Sequence, residues 1–263
     1  MIEHFQKFDG EGKSLLPLSF SHLNEFAFYR ERWALRRIFG YDFPTSASAI
    51  RGQVVESGIN MFLNGLPIEE AKEKMLSEYD ENCSRINDPK IEDERNNLVP
   101  LFELGTKKFQ DYAYRWRFID YQRKLEVEID DIPFIGYTDF YFEDNHTRED
   151  FFIDLKTSKN LPQKVSISHA MQQAIYQKAT NAKQILWYLK TPTKTKGAEY
   201  IPMSLDDYAE PFNICKHIIK VMGNYLKTVD TPDDVKNSLV PNPDNWIWKE
   251  PTVLEARKEV WGY

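Results

Sequence analysis

Two aromatic-rich stretches, IGYTDFYFED at residues 135–144 and FFIDLKTSKN at residues 151–160, read as β-strands that each carry an aspartate inside an apolar run. Side chains alternate faces along a strand, so Asp154 and Lys156 share one face while Ile153 and Leu155 take the other. A carboxylate in such a run is costly to bury unless a cation pairs with it. Asp139 can bring a second carboxylate across a strand pair. Two hard carboxylates beside an ammonium suit Mg²⁺ and a phosphate-bearing substrate better than they suit a core. The competing reading is an edge-strand ion pair between Asp154 and Lys156, with Asp139 a solvated turn residue. An acid–x–lysine alone does not decide between them, because short patterns recur by chance.

The next segment adds weight. Residues 166–179 have a helical pattern with Ser166 or Ser168 as the cap. Gln172 and Tyr176 lie one turn apart on one face of that helix. They can pack as a half-buried pair or present an amide and a phenol to a phosphate backbone. Upstream, residues 19–40 read as a helix capped by Ser19 or Ser21 and stopped at Gly40, and residues 46–65 read as another. The second contains Arg51-Gly52-Gln53-Val54-Val55-Glu56. Glu56 reads as a surface helix residue on its own, but Gly52 one turn before it permits close approach to a sheet.

In this order and spacing the pieces resemble the PD-(D/E)XK nucleases, in particular the RecB-like, phage-exonuclease branch, most clearly from about Leu18 to Lys190. The family's carboxylate after a glycine falls on Asp139 in Gly136-Tyr137-Thr138-Asp139. Its acid–x–lysine falls on Asp154-Leu155-Lys156, and its Gln-x-x-x-Tyr on Gln172 and Tyr176. Where RecB-like relatives commonly carry Arg-Gly-x-x-x-His this chain has Glu56, similar to the phage-type exonucleases. The resemblance implies an α/β fold with a central mixed β-sheet flanked by helices, a restriction-endonuclease-like core. It implies a Mg²⁺ or Mn²⁺ site formed by Glu56, Asp139, Asp154 and the Leu155 carbonyl, with Lys156 joining Glu56, Asp139 and Asp154 in catalysis. Gln172 and Tyr176 would grip the substrate.

The implied activity is a metal-dependent DNA exonuclease working at single-stranded or duplex ends, in recombination, repair or phage DNA processing. An endonuclease of the same fold is the alternative, disfavoured by the Gln-x-x-x-Tyr. A non-cleaving DNA-binding relative is disfavoured by the intact acid and acid–x–lysine set. A homo-oligomer and a single-strand-annealing or recombination partner are compatible with this branch. Basic residues are patchy: Arg30, Arg32, Arg36 and Arg37 lie on the first helix, and Lys159, Lys164 and Lys178 flank the motifs. Arg32 and Arg36 share a face that reads equally as a solvated helix face or as a phosphate contact, and Arg51 is expected to contact the substrate. The first helix with Phe26, Phe28, Tyr29 and Trp33 is expected to gate a DNA end, core packing being the commoner fate of aromatics such as Trp33 and Phe28 on an amphipathic helix.

A chain of 263 residues with 41% hydrophobic and 14% aromatic content supports one domain with a real core. Residues 66–120 read as a helical insertion broken near Asn87-Asp88-Pro89, and residues 241–263 as a tail whose Trp246, Trp248 and Trp261 pack on the core. Three strands with turns at Asp130-Asp131 and Asp144-Asn145 follow the insertion, then two more after the Gln-x-x-x-Tyr helix, then a helix over residues 204–226 that Pro211 can kink. No apolar run approaches the ~20 residues of a membrane span. With no signal-peptide pattern at the N-terminus, an intracellular, cytoplasmic location is expected, in the host cytoplasm if phage-encoded. Cys83 and Cys215 are the two cysteines, too few for a four-thiolate iron–sulfur cluster and expected to be free thiols. The net charge of −7 argues against wrapping of nucleic acid by the whole surface and confines any contact to a local groove.

Overall fold

In the computed structural model, residues 2–6, 14–242, 244, 245, 248 and 250–263 are described. Five strands, β1 (Trp116–Ile129), β2 (Ile132–Asp144), β3 (Asp150–Ser158), β4 (Lys183–Lys190) and β5 (Glu199–Met203), lie side by side in that order. Neighbours are antiparallel except β3 and β4, which run parallel and are joined by the crossover helix α8 (Ile167–Thr180). The sheet is therefore mixed, with helices on both faces. The β1–β2 connection is the two-residue turn expected at Asp130-Asp131. Both residues have positive φ, 51° and 66°, the conformation that lets a tight hairpin follow the strand twist.

On one face lie α4 (Ala47–Leu63), α5 (Ile68–Cys83), α6 (Ile91–Arg95) and α7 (Leu98–Tyr112). They bury Val54, Ile59, Met75, Phe102 and Phe109 against Phe140, Ile153, Leu155 and Trp187. Phe109 and Trp187 form its centre, with ring centroids 4.3 Å apart. On the other face α8 packs with α1 (Ile2–Phe5), α2 (Phe20–Phe28) and α9 (Ala209–Leu226), burying Phe26, Trp33, Met171, Ile175 and Ile219 against Leu125, Ile132 and Phe134. A third cluster joins α3 (Arg30–Arg37) to α11 (Pro251–Trp261), which follows the short α10 (Pro232–Ser238), through Leu35, Phe43, Trp248, Val253 and Val260. In the tail Trp248 is buried and Trp261 packs on Phe39, while Trp246 lies outside the described residues.

Three expectations about helices change. The single helix over residues 19–40 is two, broken at Tyr29, whose φ of −144° and ψ of 55° leave the helical region. The break lets α2 face α8 and α9 while α3 turns Leu35 toward α11. The helical insertion expected over residues 66–120 stops at Tyr112, and Trp116 and Phe118 instead pair with Asp144 and Phe142 in the sheet. Pro211 falls in the first turn of α9, where its missing N–H removes no helical hydrogen bond.

The β1–β2 ribbon changes layer partway along. Phe140 and Phe142 belong to the α4/α7 core, whereas Ile132 and Phe134, at positions of the same parity, belong to the α8 core. On β1, Tyr121 packs toward the first layer and Leu125, Val127 and Ile129 toward the second. Strict alternation would keep each set on one face. The inversion falls where Gln122 and Asp139 oppose each other, a pair missing from the ladder between Tyr121↔Phe140 and Arg123↔Thr138, just past a register shift between Phe118 and Asp120. Gln122 has φ 50°, a left-handed conformation inside a strand, and such strain concentrates at functional sites.

Candidate active site

Asp139 sits at this inversion, and β3 parts from β2 at the same place. The β2–β3 ladder runs from Glu143↔Asp150 to Phe140↔Ile153 and ends there. Continued by one step it would set Asp139 opposite Asp154. Instead the Leu155 N–H donates to Asp139 Oδ2 at 2.8 Å, so a side chain replaces the missing strand contact. The two carboxylates thus line a cleft between diverging strands.

Asp154 is 5% exposed. Lys156, on the same face of β3, holds its Nζ 2.6 Å from Asp154 Oδ2, yet neither Asp154 oxygen receives a hydrogen bond of ordinary geometry. With Lys156 as its one ion-pair partner the buried carboxylate is short of donors, which is costly, and a cation bound between the aspartates would satisfy it. Burial, then Asp154, then Glu56 push the Asp139 carboxyl well above the usual range. Burial opposes the charge on Lys156, but Asp154 and Asp139 more than offset it and raise the ammonium pKa.

Glu56 reaches the same field from α4. Burial, and secondarily Asp154, raise its pKa, while hydrogen bonds from Tyr121 and Gln122 work against that shift. Gln122 Nε2 lies 3.5 Å from Glu56 Oε1 and donates to Tyr121 Oη at 3.0 Å. Among the described residues no three His, Cys, Asp or Glu side chains converge as a preformed metal cage; Glu56 is held by Tyr121 and Gln122 instead. The pair whose chemistry could hold a divalent ion is Asp139 and Asp154, with Glu56 coupled to both by charge.

From the opposite layer α8 supplies Gln172 and Tyr176. Ser166 caps the helix by accepting from the His169 N–H, and Gln172 Nε2 donates to Tyr176 Oη at 3.3 Å. The Tyr176 ring lies over β2 at Gly136, where a Cβ would stand 2.6 Å from Cε1. Gly136→Ala should therefore cost about 1–3 kcal/mol through overpacking, and Tyr176→Leu should restore most of it. Urea melts of the two single variants and the double variant test this; equal losses with and without the ring would contradict it.

Two of the three arginines are engaged within the fold. Arg51 is 3% exposed, pairs with buried Glu94, and donates through Nη2 to Thr157 Oγ1 at 3.2 Å. It fastens α4 to α6 and β3 rather than facing the cleft. Arg51→Ala should destabilise by about 3 kcal/mol, the lower end for a broken buried pair, since Glu94 keeps only Asn97 and the exposed Lys159 as partners. Unchanged unfolding in urea would free Arg51 for the substrate contact expected of it. Arg36 pairs with Glu25 at 2.8 Å, and Arg32 is half-buried on α3. Phe26 and Trp33 are 1% and 0% exposed, so neither can stack on a base, whereas Phe28 remains exposed.

Four neighbours of the cleft escape a motif reading. Tyr121 and Gln122 sit on a strand whose left-handed residue no sequence signal marks. His169 precedes Gln172 by one turn, and its Nδ1 lies 2.6 Å from Tyr188 Oη. Tyr188 is the register partner of Lys156. Burial, then Lys156, lower the His169 pKa, and burial, then Asp154, raise that of Tyr188 to about 12.

The strands of this α/β sheet part around two aspartates and a lysine, with Glu56 on α4 and Gln172 and Tyr176 on α8 beside them. Residues 17–236 match the family model of the PD-(D/E)XK nuclease superfamily, and the chain belongs to that superfamily. A search of curated proteins finds no significant match. Among solved structures the fold is similar to a candidate exonuclease from Eubacterium rectale, with TM-score 0.55 and 13% identity over 94% of each chain. The protein SSO0001 overlaps at TM-score 0.32 and 14% identity, covering 76% of this chain and 84% of that one.

Proposed function

We propose that the chain is a divalent-metal-dependent DNA exonuclease, hydrolysing phosphodiester bonds at DNA ends. The observation that carries this reading is the buried Asp154 carboxylate, short of donors and facing Asp139 across parted strands. Asp139, Asp154, the Leu155 carbonyl and Glu56 would hold Mg²⁺ or Mn²⁺. The ion's contribution is to polarise the phosphate and to lower the pKa of water.

The chain's own residues supply the rest. Lys156 holds its charge beside both aspartates and offsets the negative charge that builds on the phosphate as water attacks phosphorus and the bond to the leaving oxygen breaks. Tyr121 and Gln122 hold Glu56 in place from β1. Gln172 and Tyr176 grip the substrate strand through an amide and a phenol aimed into the cleft from α8. The Gln-x-x-x-Tyr of α8, a mark mainly of exonuclease-like members, supports action at ends over cutting within continuous duplex.

End-labelled linear duplex, linear single-stranded and covalently closed circular DNA, each incubated with Mg²⁺, test the exonuclease reading. Linear DNA should be degraded and intact circles spared, with activity falling steeply as salt is added because phosphate contacts release counterions. Efficient nicking or linearisation of closed circles would replace this reading with an endonuclease.

A further inference from the structure

A strongly basic segment runs through this acidic chain. Residues 155–198 contain no Asp, Glu or Arg but eight lysines, at 156, 159, 164, 178, 183, 190, 194 and 196. With a net charge of −7 overall, those eight positive charges leave −15 on the remainder. Such segregation needs a physical account, since interspersed signs are the usual arrangement of a soluble surface.

The topology gathers most of these lysines at one end of the sheet. Because β3 and β4 run parallel, Ser158 and Lys190 are register partners, and the Thr191 N–H donates to the Ser158 carbonyl at 2.9 Å. The segments that leave the two strands, 159–166 and 191–198, therefore start side by side, immediately beyond Lys156. Lys159, Lys164, Lys194 and Lys196 are all exposed on them. The Thr193 N–H donates to the Lys196 carbonyl at 2.8 Å and the Lys196 N–H to Thr193 Oγ1 at 3.1 Å, closing a turn with Lys194 at its tip. Lys159 lies 3.5 Å from Glu94, and Lys190 is paired with Glu199. Lys178 and Lys183 lie at the other end of the crossover.

We propose that this lysine ridge is the track on which the single strand flanking the scissile bond lays its phosphates. An acidic protein repels a polyanion over most of its surface, so approach is channelled to a local patch of opposite sign. The two loops carry no aromatic side chain and no arginine. They offer point charges rather than stacking platforms or bidentate forks, so the contact is to the backbone and indifferent to base identity. The inference rests on the nuclease reading for its strand, but it is read out in binding alone.

The experiment is fluorescence anisotropy with labelled 30-nucleotide oligo(dT) and oligo(dA) in EDTA, at a series of salt concentrations. The variants are Lys164→Ala/Lys194→Ala/Lys196→Ala and a control, Lys216→Ala/Lys220→Ala/Lys227→Ala, on and just after α9. For single strands each lost phosphate contact lowers the slope of log K against log salt by about 0.7. The ridge variant should lose about two units of slope and bind about 10–100-fold more weakly at 0.1 M salt, equally for both oligonucleotides. The control should keep the parent slope. An unchanged slope in the ridge variant, or an equal loss in the control, overturns the track. If the parent degrades DNA with Mg²⁺ while the ridge variant keeps its slope, the track fails and the nuclease reading stands. If the ridge slope falls while no DNA is cleaved, the track stands and the nuclease reading fails.

Discussion

Asp154→Asn is expected to abolish DNA cleavage and, in metal-free buffer, to raise the melting temperature. The loss should be about 10³-fold or more, the scale on which one electrostatic stabiliser of a transition state acts. The stability gain follows from the same residues. Asp139 and Glu56 both have folded-state pKa values raised above their ordinary 3.8 and 4.5, burial first and Asp154 contributing to each. A group whose folded pKa is raised contributes stability that is fully present below the unfolded value and lost as pH rises through the folded one. Metal-free protein should thus lose stability from about pH 4 upward, and Asp154→Asn should flatten that decline by removing one of the repelling charges. Each kcal/mol relieved is worth about 2–4 °C in a protein of this size. Adding Mg²⁺ should stabilise the parent chain and leave Asp154→Asn nearly unmoved. Calorimetric melts across pH 4–9, with and without Mg²⁺, read all three effects. A variant less stable than the parent at neutral pH in EDTA would show that Asp154 is a structural ion-pair partner.

Lys156→Ala should act in the opposite sense on stability and in the same sense on chemistry. Its ammonium is the one cation within ion-pair distance of Asp154 among the described residues. Its removal strands a buried carboxylate, a loss at the lower end of the about 3–5 kcal/mol range for broken buried pairs, because the lysine side chain is 26% exposed. Turnover should fall about 10²–10³-fold, while DNA affinity in EDTA stays within a few-fold. Single-turnover rates and anisotropy on one oligonucleotide separate the two quantities. Equal losses of rate and affinity would make Lys156 a binding residue rather than one acting in the transition state.

The contrast between these variants turns on features that differ in how visible they are in sequence. Asp139, Asp154 and Lys156 were legible because a charge in an apolar strand demands a partner, and because alternation puts Asp154 and Lys156 on one face. The hairpin turn at Asp130-Asp131 was legible from its own residues. The layer inversion at Gln122 and Asp139 was not: it depends on two cores on opposite faces competing for one ribbon, and Gln122 has no intrinsic preference for left-handed backbone. The break at Tyr29 is likewise tertiary, because residues 19–40 are uniformly helix-compatible and only the separate demands of α9 and α11 divide them. Arg51 sits where a substrate contact was expected, but Glu94, forty-three positions away, takes its guanidinium. Trp33 followed the commoner fate of an aromatic on an amphipathic helix and is core.

The most direct measurement is hydrolysis of uniformly labelled linear DNA by the parent chain, Asp139→Asn and Asp154→Asn, each in Mg²⁺, Mn²⁺ and EDTA. Degradation by the parent in either metal, none in EDTA, and none by either variant under any condition is the predicted result. Cleavage that persists in EDTA, or that survives in either aspartate variant at the parent rate, would contradict a metal centre built on Asp139 and Asp154.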